Sequence, residues 1–68
     1  MRHEQVIIGD IVRWASQMAL NEDGYVYAIV EKTFYLPNTY EDEMTYEVRT
    51  FDTNDKFRLF RQHFQKVS

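Results

Sequence analysis

Eleven residues, Gly24 to Phe34, constrain the fold more than any other stretch: Gly-Tyr-Val-Tyr-Ala-Ile-Val-Glu-Lys-Thr-Phe. β-Branched and aromatic side chains pack well across a pleated surface, so the run predicts a strand. Gly24, preceded by Asn21, Glu22 and Asp23, predicts the turn that feeds it. Strict alternation puts residues 26, 28, 30, 32 and 34 on one face, apolar except for Lys32. The other face carries Tyr25, Tyr27 and Ile29 and then turns polar. A strand apolar on both sides at its start and on one side later suits a curled sheet.

The rest of the chain supplies partners for that strand. Gly9-Asp10 is a turn dipeptide, and Ile11–Ala15 alternates, with Val12 and Trp14 on one face. Val6–Ile8 leads into this first strand. Residues 16–23 form a loop in which Met18-Ala19-Leu20 is expected to tuck over one end of the core. Pro37-Asn38 ends the long strand, since proline cannot donate to a ladder, and Glu41-Asp42-Glu43 is expected at a solvated hairpin tip. Met44, Tyr46 and Val48 alternate with Thr45, Glu47 and Arg49 in a third strand. After the polar turn Asp52–Asp55, Phe57 and Leu59 point inward while Lys56, Arg58 and Phe60 point away. Arg61-Gln62-His63 reads as one helical turn, and Phe64–Val67 as a short last strand with Phe64 and Val67 on the core.

Sixty-eight residues make one domain, 1–68, with an ordered core over about 8–67. Without cysteine, no disulfide or thiolate-bound metal can staple so small a fold, and eleven aromatic residues must supply much of its core. No basic-then-apolar leader opens the sequence, and no run is long enough to span a membrane. The expectation is a soluble, cytoplasmic protein. Residues 1–48 carry three bases and nine acids, a balance of −6, whereas residues 49–68 carry five bases and two acids, a balance of +3. The two parts can neutralise each other across paired strands, or they can form two patches of opposite sign.

Taken in order, Gly9-Asp10-Ile11-Val12-Arg13, Asp23-Gly24-Tyr25-Val26, Tyr46-Glu47-Val48-Arg49-Thr50-Phe51, Phe57-Arg58-Leu59-Phe60 and Phe64-Gln65-Lys66-Val67 resemble the strands of SH3-like barrels. The similarity runs from about Ile8 to Val67 and is carried by short motifs. It looks most like the small SH3-like proteins of bacteriophages. More distantly it is similar to the photosystem I PsaE subunit and the ferredoxin–thioredoxin reductase variable chain, and KOW and Tudor domains share the architecture. The resemblance implies an all-β fold: a small closed barrel of about five strands with a short helical turn before the last. For a phage-encoded protein it also implies the host cytoplasm as location. Loop 16–23 departs from the KOW pattern, with two acids and no base where a glycine-rich basic loop is usual.

Catalysis finds little support in these residues. The only histidines are His3 and His63, with no cysteine and no Ser–His pairing, so a non-enzymatic protein without cofactor is expected. Glu41-Asp42-Glu43 lacks the alternating ligands and glycine of a calcium loop, and no metal site is expected. Too many aromatic residues are present for all of them to fit within the core, and exposed Tyr and Trp mark partner sites. The expectation is a protein–protein interaction module that binds a host or virion protein through Trp14, Tyr25, Tyr27 and the acidic loop Tyr40, Glu41, Asp42 and Glu43. The alternative is a nucleic-acid-binding barrel in which Arg49, Lys56, Arg58 and Arg61 contact phosphates and Phe60 stacks on a base. The acidic overall balance weighs against that alternative. A Tudor-like aromatic cage for a methylated cation is a third possibility, and a homodimer through an edge or the aromatic face is also open.

Overall fold

A computed structural model describes residues 5–36 and 43–67, with the side chains of 35, 36 and 43 outside the description. The fold is all-β. Strands β1 (Ile11–Ala15), β2 (Tyr25–Leu36), β3 (Glu43–Thr50), β4 (Lys56–Phe60) and β5 (Gln65–Lys66) form one antiparallel sheet in the order β4-β3-β2-β1-β5. The helical turn expected at Arg61–His63 is a 3-10 turn between β4 and β5. Among the described residues no helix is long and apolar enough to cross a membrane.

Two glycines and one asparagine set the turns. Asp10 N–H donates to the Ile7 carbonyl (3.1 Å), and Gly9 has φ of 96°. A positive φ at the third position of a four-residue turn is the type II arrangement, which a side chain disfavours. Gly24, with φ of 78°, closes the loop before β2 by donating to the Asn21 carbonyl. The β3–β4 turn is wound around Thr50, which is 3% exposed and linked through Thr53 Oγ1 (2.8 Å) to Asp55 Oδ2 (2.8 Å). Asn54 takes up the positive φ there, which asparagine tolerates.

The long strand does not alternate strictly. Val30 pairs with Val48, but Lys32 pairs with Glu47, so two residues of β2 oppose one of β3. This bulge at Glu31 resets the faces. Thr33 lies opposite the buried Tyr46, while Lys32 and Phe34 lie opposite Glu47 and Thr45 on the outer face. The expected placement of Lys32 and Phe34 on the core side is therefore corrected. The extra residue keeps Lys32 off the core.

Val6, Val12, Ala28, Val30, Tyr46, Val48 and Phe64 form the core, with Trp14, Met44 and Leu59 packed against it. A flat five-stranded sheet would hold its outer strands about 19 Å apart, at ~4.8 Å per step. The link through the 3-10 turn spans only about 13 Å, because such a turn rises ~2 Å per residue. The sheet must coil. Accordingly, Trp14 on β1 and Phe57 on β4, three strands away, meet edge-on with ring centroids 5.8 Å apart. The coil does not become the closed barrel expected from the resemblance. Among the described residues β4 pairs with β3 alone and β5 with β1 alone. With only two residues, β5 is too short to bridge both neighbours.

Three expected core contacts are absent. Met18 and Leu20 are 85% and 71% exposed, because the loop turns on its own hydrogen bonds: Met18 N–H to Ser16 Oγ and Ala19 N–H to the Ser16 carbonyl. Val67 is exposed as well; its N–H donates to the Ile11 carbonyl, so its backbone rather than its side chain ties the last strand down.

Candidate functional site

Cross-strand partners share a face, so the register defines the outer side of the sheet. One row there reads Gln65, Arg13, Tyr27 across β5, β1 and β2, and Tyr25 lies one step along from Tyr27. Arg13 is the centre of this group. Its Nη1 donates to the Tyr27 hydroxyl (3.3 Å), its Nε to Gln65 Oε1 (3.3 Å), and its guanidinium stacks on the Tyr25 ring at 4.2 Å. Tyr27 in turn donates to Asp23 Oδ2 at 2.7 Å. Asp23 thus couples the loop to the sheet.

Its other oxygen accepts the Tyr25 N–H at 3.0 Å. That bond, then the Tyr27 hydroxyl, then the Arg13 charge hold the Asp23 carboxyl below the usual carboxylate range; the bond to Tyr27 raises the Arg13 guanidinium. A depressed folded-state pKa stabilises the fold above the unfolded-state pKa, and the contribution disappears as pH falls through the folded value. Replacing Asp23 with Asn is therefore expected to lower the melting temperature near neutrality and to narrow the gap to wild type in strong acid. Parallel melts across that range check it, and a gap that widens in acid would refute the assignment.

Across β2, β3 and β4 the same face carries two rows of mixed charge. In one, Arg49 lies beside Lys56, and Arg49 Nε sits 2.9 Å from Glu31 Oε2 on the bulge. The approach is too oblique for a hydrogen bond, so it is a contact ion pair; Arg49 Nη1 also donates to Asn54 Oδ1 (3.3 Å). The next row is Lys32, Glu47, Arg58. Beyond it come Phe34, Thr45 and Phe60, with the Arg58 guanidinium 4.3 Å from the Phe34 ring centroid. Aromatic rings and cations are thus interleaved across the whole outer face.

The expected site residues fall in different places. Tyr25 and Tyr27 lie together on the outer face, half-buried and bound to Arg13. Trp14 pairs with Val26 on the opposite, core-facing side. Tyr40, Glu41 and Asp42 lie outside the described residues; Glu43 opens β3, its side chain likewise outside. Of the alternative set, Arg49, Lys56, Arg58 and Phe60 share the outer face, whereas Arg61 Nη1 donates to the Phe64 carbonyl (2.9 Å). His63 is exposed, its ring 5.8 Å from that of Phe60. Among the described residues no group of three or more His, Asp or Glu could hold a metal.

Arg13, Phe34, Lys32 and Glu47 belong to this face although the sequence reading does not name them as site residues; alternation places Arg13 and Glu47 on it correctly, whereas it puts Lys32 and Phe34 on the core side. For Arg13 the signal is its place in the alternation of β1, with Val12 and Trp14 on the other side. For Lys32 and Phe34 it is the adjacent charged pair Glu31-Lys32, which interrupts an otherwise apolar strand. Comparison with known proteins gives no matching family model, no matching curated protein and no matching solved structure.

Proposed function

We propose that the chain is a non-enzymatic binding module, an SH3-like barrel left open between β4 and β5, working by contact between its outer sheet face and another protein. Support for the architecture comes from the strand order, the coil of the sheet and the 3-10 turn before β5. The observation that carries the function is the interleaving of Tyr25, Tyr27, Phe34 and Phe60 with Arg13 and Arg58 on one face. Tyr and Arg are enriched among residues that dominate binding energy at protein interfaces, since they offer large area and directed donors with little conformational freedom to lose. The acidic segment 40–43 remains part of the proposal on its sequence.

Nucleic acid is the weaker reading, although Arg49, Lys56, Arg58 and Phe60 share this face. A polyanion needs unpaired cations and open rings. Here Glu31 holds Arg49 and guanidiniums already cover Tyr25 and Phe34, which leaves two exposed cations, Lys56 and Arg58, on the short β4 edge to meet phosphates, against an overall charge of −3.

The test is capture with the tagged chain from lysate, with and without nuclease, beside a variant carrying alanine at Tyr40, Glu41, Asp42 and Glu43 and another carrying alanine at Tyr25 and Tyr27. A stoichiometric protein that survives nuclease and is lost from either folded variant is the expected result. Material that disappears with nuclease would replace this reading with the nucleic-acid one.

A further inference from the structure

Strand β4 is the end of the sheet. Among the described residues β3 is its one neighbour, so the backbone groups along its far side meet no strand. Such an edge is a template for another strand, and proteins guard it with charge. Lys56 and Arg58 stand exposed along it on the outer face, and Phe57, 44% exposed, stands on the other.

The charges on this edge are unbalanced in one direction. In the row Arg49–Lys56, Glu31 is committed to Arg49, which leaves Lys56 in surplus. In the row Lys32–Glu47–Arg58, one acid lies between two cations. Each row therefore ends at β4 with an exposed cation, Lys56 or Arg58, and each holds more cations than acids. A second copy is a poor partner: two β4 edges related by a two-fold axis at Phe57 or Arg58 set cation opposite cation, and like charges directly opposed destabilise a sheet; the register centred on Leu59 avoids this but offers Arg58 no acid, only Phe60. An acidic strand meets the reverse condition. Arg58 is also held in place by the Phe34 ring, so less freedom is lost when it binds.

From this geometry we propose that β4 is the docking edge, and that its occupant is an extended acidic segment of a partner protein, added as a sixth strand. Acids at alternate positions face Lys56 and Arg58, and apolar residues between them face Phe57. The inference rests on the protein-binding reading above and specifies its mode; the backbone supplies the affinity and the charge selects the partner.

The test uses the full isotope-labelled chain and a synthetic peptide of about nine residues, the length of a moderately long strand, alternating glutamate with valine. Two companions carry lysine for glutamate, or N-methyl groups at alternate amides. Expected are amide shift changes centred on Lys56–Phe60, binding weakened about tenfold or more by the lysine peptide, and loss with the N-methylated one. The double variant K56Q/R58Q, which removes both charges without setting an acid opposite Glu47, is expected to lose the peptide while still melting cooperatively. Shifts confined to Arg13, Tyr27 and Phe34, with the N-methylated peptide binding equally well, would overturn edge docking while leaving the module intact. No binding of the glutamate peptide, beside capture of a nuclease-resistant partner, would overturn the acidic strand alone. Failure of both experiments would remove the module itself.

Discussion

Replacing Val48 with Asp is expected to abolish folding. Val48 has no exposed surface, faces Val30 across the ladder and lies at the centre of the core. The substitution removes the ~1.5–3 kcal/mol that a buried valine side chain contributes. It also leaves a carboxylate without a partner, a loss of roughly 3–5 kcal/mol in the interior. At ~0.05–0.15 kcal/mol per residue, a domain of this size has only about 3–10 kcal/mol of stability. The combined loss is comparable to the whole, and amide resonances collapsed into the random-coil range are the expected observation. Val26 provides the contrast. It faces the same side, opposite Trp14, but is only half-buried near the open end of the strand pair. There a carboxylate reaches water, so V26D is expected to fold with a lowered midpoint. A cooperative melt for V48D would disprove the assignment of the core face.

The difference between these two valines also marks how far the sequence carries. Both stand in alternating apolar strands, and alternation alone makes them equivalent. It locates β1 to the residue, because Gly9-Asp10 and Ser16 bound it and its period is unbroken. It does not locate the bulge at Glu31. A two-residue period cannot reveal an extra residue, since the insertion appears only as a polar side chain on the apolar face. Lys32 looked like such an exception; opposite Glu47, it is on the outer face. The exposure of Met18 and Leu20 was hidden for another reason. Apolarity says that burial would be favourable, but the turn at Ser16 directs the loop away from the sheet.

The candidate site was legible by residue type and illegible by arrangement. Tyr25, Tyr27, Arg49, Lys56, Arg58 and Phe60 are recognisable in the sequence as side chains suited to binding. That Arg13 stacks on Tyr25, or that Glu31 neutralises Arg49, depends on cross-strand register, which brings together residues twelve and eighteen positions apart. Part of the regional charge balance of −6 and +3 reflects this register. Acids of the first part, Glu31 and Glu47, lie among bases of the second, and Lys56 and Arg58 of those bases stand exposed on β4.

Phe64 illustrates why the link between β4 and β5 matters as much as any strand. It is 4% exposed, its ring meets Tyr46 edge-on at 5.3 Å, and its carbonyl accepts from Arg61, whose guanidinium also lies 5.0 Å from the ring centroid. β5 contributes only two residues to the ladder, too few to hold by hydrogen bonds alone. The buried ring is therefore what fixes the returning chain against β1. Replacing Phe64 with Ala is expected to cost about 3–5 kcal/mol, the usual range for removing a buried ring. In a domain of this size that corresponds to a midpoint roughly 12–40 °C lower. Hydrogen exchange gives the sharper measurement: the amide of Val67, which bonds the Ile11 carbonyl, should lose protection before those of β2 and β3. Leucine at 64 retains much of the volume and should recover part of both effects. If the alanine variant melts within a few degrees of wild type with the Val67 amide still protected, β5 is held by its backbone, and the coil of the sheet does not depend on this ring.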